Sequence, residues 1–134
     1  MIILSITVVF NSCSKKDDAG TSGTPDTNYP CTNITTNTTI GEGSYLIDCA
    51  LTVTNNAILT ISPGVTLKFT GTGSLTTDNG GAINAIGTSS QPIIFTGKEE
   101  TSGFWSGIDI NTNSVNNIFS YCQFKCKRIR NEKS

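Results

Sequence analysis

The chain has 134 residues with a formal net charge of −1 and only 14% charged side chains, which allows one domain plus a leader and has the Thr, Asn, Gly and Ser excess of a turn-rich β protein. Five of its nine cations (Lys125, Lys127, Arg128, Arg130 and Lys133) fall in the last ten residues, so no basic face is available to nucleic acid on the rest. Histidine is absent, which removes the usual general base, zinc ligand and pH switch together, and nothing in the pattern identifies a metal, nucleotide or organic cofactor.

Met1 to Phe10, MIILSITVVF, is too short to cross a bilayer as a mature helix but suits the central region of an export signal. It runs into Asn11-Ser12-Cys13, a small residue followed by cysteine, which resembles the lipobox of bacterial lipoproteins; Phe10 and Asn11 depart from that motif. The resemblance implies a signal peptide over residues 1–12 and lipidation of Cys13, the alternative being a free thiol in a disordered tail. Lys15-Lys16-Asp17-Asp18 resembles the lysine-then-acid signal that directs Bacteroidota lipoproteins to the outer face of the outer membrane. A solvated charge cluster is the plainer reading. The implied localisation is the outer membrane, lipid-anchored and exposed at the cell surface, with the membrane as partner through a multiply acylated cysteine.

Residues 13–30 read as the lipidated cysteine and a flexible tether, because Ala19 to Tyr29 has almost nothing apolar to bury against its ordering entropy. Cys31 and Cys49 then bracket a Thr/Asn-rich segment. In an exported chain this pair reads as a disulfide worth roughly 3 kcal/mol, with Cys122 and Cys126 leaving other pairings open. Asn33 and Asn37 begin glycosylation triplets but read here as turn residues.

From Ile58 to Phe95 the sequence begins to repeat. Ile58 and Ile61 recur as Ile83 and Ile86, and Leu67 and Phe69 as Ile93 and Phe95, a return of apolar pairs after roughly 25 residues that suits one rung of a β-solenoid. A first coil uses Leu51–Val53, Ile58–Ile61 and Val65–Phe69 as strands, and Pro63-Gly64 fits the centre of a type II turn. The second coil uses Ser74–Thr77, Ala82–Gly87 and Pro92–Thr96, with Gly80-Gly81 replacing Asn56 and its neighbour at the first bend. In a third coil, 107–110 lies over Leu75 and Leu51, and 117–119 over Ile83 and Ile58. The extra residues fall in Gly97 to Trp105, predicted to be a loop projecting from the stack.

The segments SPGVTLKF, NAIGTSSQPIIFTG, FWSGIDI and NNIFSY resemble right-handed parallel β-helix proteins of the pectate-lyase-like superfamily, as found in bacterial surface lipoproteins. The resemblance spans about Tyr45 to Phe124. It implies an all-β, right-handed parallel β-helix of about three coils over residues 31–124, preceded by a disordered leader and tether, with residues 125–134 a basic tail that departs from the repeat. Because relatives are usually longer, the chain is expected to be a truncated member with an uncapped last coil prone to pairing with other chains.

For activity the resemblance implies less, since fold does not imply function. Related lyases use a carboxylate-bound calcium and a basic residue to remove the proton beside a uronate carboxyl, whereas the only arginines here, Arg128 and Arg130, lie outside the body. Asp48, Asp78 and Asp109 fall about a coil apart and would line one edge if catalytic, or cap solvated turns if not. Gly97 to Trp105 is the local candidate for ligand binding: an exposed Trp105 beside Phe104 would stack on a sugar while Glu99 and Glu100 accept hydroxyl bonds. The competing and favoured reading has Trp105 covering the apolar end of the strand it precedes. Exposed Thr and Asn ladders are a second route to glycan, or simply cap turns. The sequence therefore points to a non-enzymatic surface module for binding, adhesion or structure, with glycan as the candidate partner. The alternative is an N-terminal fragment of a polysaccharide lyase or glycoside hydrolase lacking its catalytic coils.

Overall fold

Short runs in which apolar and polar residues alternate, separated by turn residues, cannot form a helix with one apolar face; they form strands with one side inward. The computed structural model describes residues 26–99, 101 and 104–125, and there these runs are β-strands with the alternating burial the pattern requires. In chain order they are β1 (Thr27–Asn28), β2 (Thr38–Ile40), β3 (Ser44–Ile47), β4 (Ala50–Val53), β5 (Ile58–Ile61), β6 (Thr66–Phe69), β7 (Ser74–Thr77), β8 (Ala82–Ile86), β9 (Ile93–Gly97), β10 (Ile108–Ile110), β11 (Ile118–Ser120) and β12 (Cys122–Phe124).

The strands make three parallel sheets, ordered β1-β3-β6-β9-β12, β10-β7-β4 and β11-β8-β5-β2, and from β2 onward every third strand joins the same sheet. This is a right-handed parallel β-helix. The three expected coils are present, and a further one precedes them: Ile34 bridges to Val53, β2 pairs with β5 and β3 with β6. The Thr/Asn-rich segment bracketed by Cys31 and Cys49 is thus itself a rung, with only Ile34, Ile40 and Ile47 to bury. The stretch expected to be a tether ends earlier than residue 30, because Thr27–Asn28 adds a fifth strand to the first sheet. Tyr29 packs edge-on against Tyr45 at 6.1 Å. Lys68 pairs with Asp26 at 2.9 Å and Ser44 donates to the same carboxylate at 2.6 Å. Burial alone would raise the Asp26 carboxyl, but the Ser44 and Lys68 hydrogen bonds and the lysine charge hold it below its ordinary value.

Inside, like positions stack in columns: Leu51, Leu75 and Ile108 in one sheet, Ile40, Ile61, Ala85 and Phe119 in the second, Tyr45, Leu67, Phe95 and Phe124 in the third. Each side chain covers the one below it, so the core is a continuous apolar cylinder.

Register differs from the sequence reading in two ways. Ile58 aligns with Ala82, Leu59 with Ile83 and Ile61 with Ala85, one place from the expected pairing of Ile58 with Ile83. A shift of one inverts the faces: Ile58 and Ile86 point outward, and Leu59 and Ala85 take the buried positions. Likewise 117–119 sits with Ile118 over Asn84 and Phe119 over Ala85. Leu67 aligns with Phe95 and Phe69 with Gly97, two places from expectation, and a shift of two keeps the face. Ile93 and Phe95 are therefore inside as expected.

The corners follow backbone chemistry. Gly64 has φ +81° and the Val65 amide donates to the Ser62 carbonyl at 3.3 Å, the type II turn that Pro63-Gly64 predicts. At the corner between the second and third sheets' upstream strands, β4 to β5 and β7 to β8, the left-handed residues are Asn55 and Asn56 in one coil and Asn79 and Gly80 in the next. The expected pair Gly80-Gly81 is displaced by one. Gly81 serves a different need, since a Cβ there would strike the Val53 carbonyl of the coil below.

Candidate functional site

Gly97 ends β9 at the position where Ile47 and Phe69 sit in the coils below. With no side chain of its own, it leaves a gap above the Phe69 ring, and the chain returns to fill it. The Trp105 indole lies flat on Phe69, centroids 4.4 Å apart and planes 3° apart. Its Nε1–H donates to the Lys125 carbonyl at 2.7 Å, and only 1% of the residue is exposed. Trp105 is therefore not an exposed sugar platform: the missing side chain at Gly97 draws it into the core. Phe104 is half-buried over Gly97, close enough that a Cβ on the glycine would meet the Phe104 ring at 2.8 Å. Glu99 is exposed, while Glu100, Cys13 and the segments 1–12 and 126–134 lie outside the described residues. Among the described residues of the 97–105 loop, Trp105 turns no face to solvent, while Phe104 is half-buried and Glu99 exposed.

The three carboxylates expected along one edge are also apart. Asp48 follows β3 at the corner leading to β4, Asp78 follows β7 at the corner leading to β8, and Asp109 is the middle residue of β10. Local chemistry explains the first two. Asp48 accepts the Thr70 hydroxyl at 2.7 Å and the Thr72 hydroxyl at 3.3 Å from the next coil, and Asp78 accepts the Asn79 amide at 2.8 Å. They cap turns. Among the described residues no group of three or more acids, cysteines or histidines converges as a metal site.

Cys31 and Cys49 are joined by a disulfide with Cα atoms 5.9 Å apart, tying the start of the first coil to the corner before β4. Cys122 is a free thiol on β12, half-buried, and burial pushes its pKa up to about 11. It is a poor nucleophile in that state.

What the fold does present is two rows of hydrogen-bonding groups on adjoining outer faces, all of them hydroxyls or amides except the Asp109 carboxylate. Thr39, Thr60 and Asn84 are in register on β2, β5 and β8, and Thr52, Thr76 and Asp109 on β4, β7 and β10. All six are exposed or partly so. Consecutive members are one strand spacing apart, about 4.8 Å, so hydroxyl and amide groups repeat at a fixed interval on both sides of the corner made by Asn55, Asn56, Asn79 and Gly80. The alternation made each residue legible as outward, but their alignment depends on the register. Two asparagines, read from the sequence only as a turn residue and as the start of a strand, have a further role. The side-chain oxygen of Asn37 accepts the Ile58 amide at 2.9 Å and that of Asn117 accepts the Ile83 amide at 3.0 Å, linking neighbouring coils at this same corner. No spacing rule marks them out from the many other asparagines.

A family described as a pectate-lyase like beta helix domain matches residues 32–125, which covers the coils from Ile34 to the end of β12. No curated protein and no solved structure gave a significant match.

Proposed function

We propose, from the premise that the chain belongs to the pectate-lyase-like β-helix family, that it is a cell-surface lipoprotein whose helix displays a non-enzymatic binding or adhesive face for glycans. The observation that carries this reading is the pair of in-register rows, Thr39-Thr60-Asn84 and Thr52-Thr76-Asp109. A sugar chain is a run of hydroxyls that both donate and accept, and a surface of threonine and amide groups repeated at one spacing meets it with matched partners. Because the strands are held by ladder bonds above and below, these groups are pre-positioned and little ordering entropy is lost on contact. Cys13, with an apolar run before it and a polar stretch after it, supplies the membrane attachment in this reading.

A glycan array probed with the full chain tests the proposal, with Thr60→Lys and Thr76→Lys together as the variant. Binding to one glycan class that falls at least tenfold in the variant supports it, and an array with no bound glycan of any class sinks it. Labelled palmitate incorporated by the expressed chain and lost in Cys13→Ser tests the anchor separately. The family description favours one second reading, a lyase or hydrolase fragment. An acid and arginine cluster on successive coils encoded by the continuing reading frame would support that reading instead.

A further inference from the structure

Charged side chains are not spread evenly around the cylinder. Among the described residues the cations are Lys68, Lys98 and Lys125, and all three belong to one sheet: Lys68 lies in β6, Lys98 directly follows β9 and Lys125 directly follows β12. Lys68 is already paired with Asp26 at 2.9 Å. The other two sheets, which carry the rows Thr39-Thr60-Asn84 and Thr52-Thr76-Asp109, hold no described cation. They hold acids instead. Asp109 is exposed in one of the rows, and Asp78 is exposed at the corner that joins the two sheets.

Backbone donors at this corner are spent within the protein. The amides of Asn56, Ala57, Asp78, Gly81 and Ala82 donate to carbonyls, and that of Asn79 donates to the Asp78 carboxylate at 2.8 Å. These six therefore cannot form the ring of free N–H groups with which a backbone holds an anion. A carboxylate on a sugar gives up strong hydration on contact and recovers the loss only from a cation or from several donors. A sugar hydroxyl has no such need. It donates to an asparagine carbonyl or to the Asp78 and Asp109 carboxylates, in the latter case by a charge-assisted bond, and accepts from a threonine hydroxyl. Resting on the reading of these rows as a glycan face, we infer that the face takes an uncharged glycan and excludes polyuronates, the polymer class that the family's description suggests.

Strand geometry sets the reach of the effect. Asp109 is in register with Thr76, and Asp78 lies two places beyond Thr76 in the chain. At about 3.3 Å per residue along a strand and about 4.8 Å across, the two acids stand on the order of 8 Å apart. That is about one Debye length at physiological salt, so a ligand on the Thr52-Thr76 row feels both. Each carboxylate of a polyuronate meets two like charges there and no described opposite one, and the penalty fades as salt is raised. A face built for polyuronate responds the other way, losing affinity with salt.

Titration calorimetry of the full chain against matched polymers tests the inference. The probes are glucan, mannan and methyl-esterified galacturonan, each beside its carboxylate form, made by oxidising the primary alcohols of the first two and de-esterifying the third. Lys127, Arg128, Arg130 and Lys133 attract any polyanion, so the decisive comparison uses the full chain with these four replaced by serine. The expected result is an uncharged member that binds and a carboxylate partner roughly fivefold weaker at low salt, the size of two unit repulsions at that distance in water, with the gap closing as salt rises. Asp78→Asn combined with Asp109→Asn keeps the side-chain shapes and should at least halve the gap while the uncharged member stays within twofold; circular dichroism confirms that the variants fold. A carboxylate member that binds as tightly as its partner, or a gap that the double variant leaves unchanged, overturns the inference and leaves the glycan reading standing. Failure of all three uncharged members to bind also overturns it, and the glycan array then decides separately whether the display reading survives.

Discussion

Replacing Trp105 with alanine separates a core residue from a ligand platform without needing a ligand. The indole is 1% exposed, stacks on Phe69 at 4.4 Å and donates a 2.7 Å hydrogen bond to the Lys125 carbonyl. Truncating a buried Trp to Ala costs about 3–5 kcal/mol through lost transfer energy and the cavity left behind. Of this the stacked pair accounts for about 0.5–1.5 kcal/mol, and the hydrogen bond for about 1 kcal/mol. Gly97 offers no side chain to collapse into the space, so the upper part of the range is expected. For a domain of ordinary stability, 5–15 kcal/mol, that is a large fraction. Urea unfolding followed by circular dichroism measures it, with Trp105→Phe as the companion: the stack is kept, the hydrogen bond is lost, and the cost falls to about 1–2 kcal/mol. Since Trp105 is the sole tryptophan, its native fluorescence should be blue-shifted and resistant to iodide. A Trp105→Ala chain within 0.5 kcal/mol of the parent, or iodide quenching equal to that of free tryptophan, would falsify the placement of the indole in the core.

Gly80→Ala should cost at least about 1–2 kcal/mol, because its φ of +79° is strained for any L side chain and the added Cβ collides with Asn56; a thermal midpoint unchanged within a degree contradicts this. Reducing Cys31–Cys49, which closes a loop with a sequence separation of 18, should lower stability by roughly 3 kcal/mol, read as the urea midpoint with and without a phosphine reductant. The Cys122 thiol, raised from 9.0 to about 11 mainly by burial and partly offset by a backbone hydrogen bond at Ser120, binds its proton more tightly folded than unfolded. Its contribution is therefore complete below pH about 9 and is lost as pH rises toward 11. Unfolding midpoints over that window should fall in the parent and fall less in Cys122→Ala, and alkylation of the native thiol should stay slow at pH 8. Equal slopes in parent and variant contradict the assignment.

The register errors show where a linear pattern stops carrying information. Alternation along Ile58 to Ile61 fixes that every second residue is inward but leaves the choice of face to the neighbouring coils, and both choices, Ile58 with Thr60 or Leu59 with Ile61, begin with a large apolar residue. Layer spacing settles the matter, and it is not constant. Leu51 aligns with Leu75 after 24 places, Leu67 with Phe95 after 28 and Leu75 with Ile108 after 33. Corners absorb the differences without disturbing the strands, so an average period of about 25 is right for the architecture and wrong by one or two for individual pairs. The coil between Cys31 and Cys49 is hard to see in the sequence for a related reason. Its three buried isoleucines are too few to stand out from a Thr/Asn-rich background, and only pairing with β4, β5 and β6 of the next coil makes a rung of them.

Local chemistry alone determined a great deal. Alternating β-branched strands, Pro63-Gly64 and the asparagine and glycine corners specify a stack of parallel strands, because each of those preferences is satisfied by the nearest few residues of the chain. The fate of side chains that depend on distant partners was decided by the folded stack. Trp105 is inside because Gly97, eight places earlier, leaves the space above Phe69 empty. Asp48 and Asp78 sit at different corners, after β3 and after β7, because the turns between strands differ in length. Such facts arise from contacts between coils, which composition and spacing along a single line do not record.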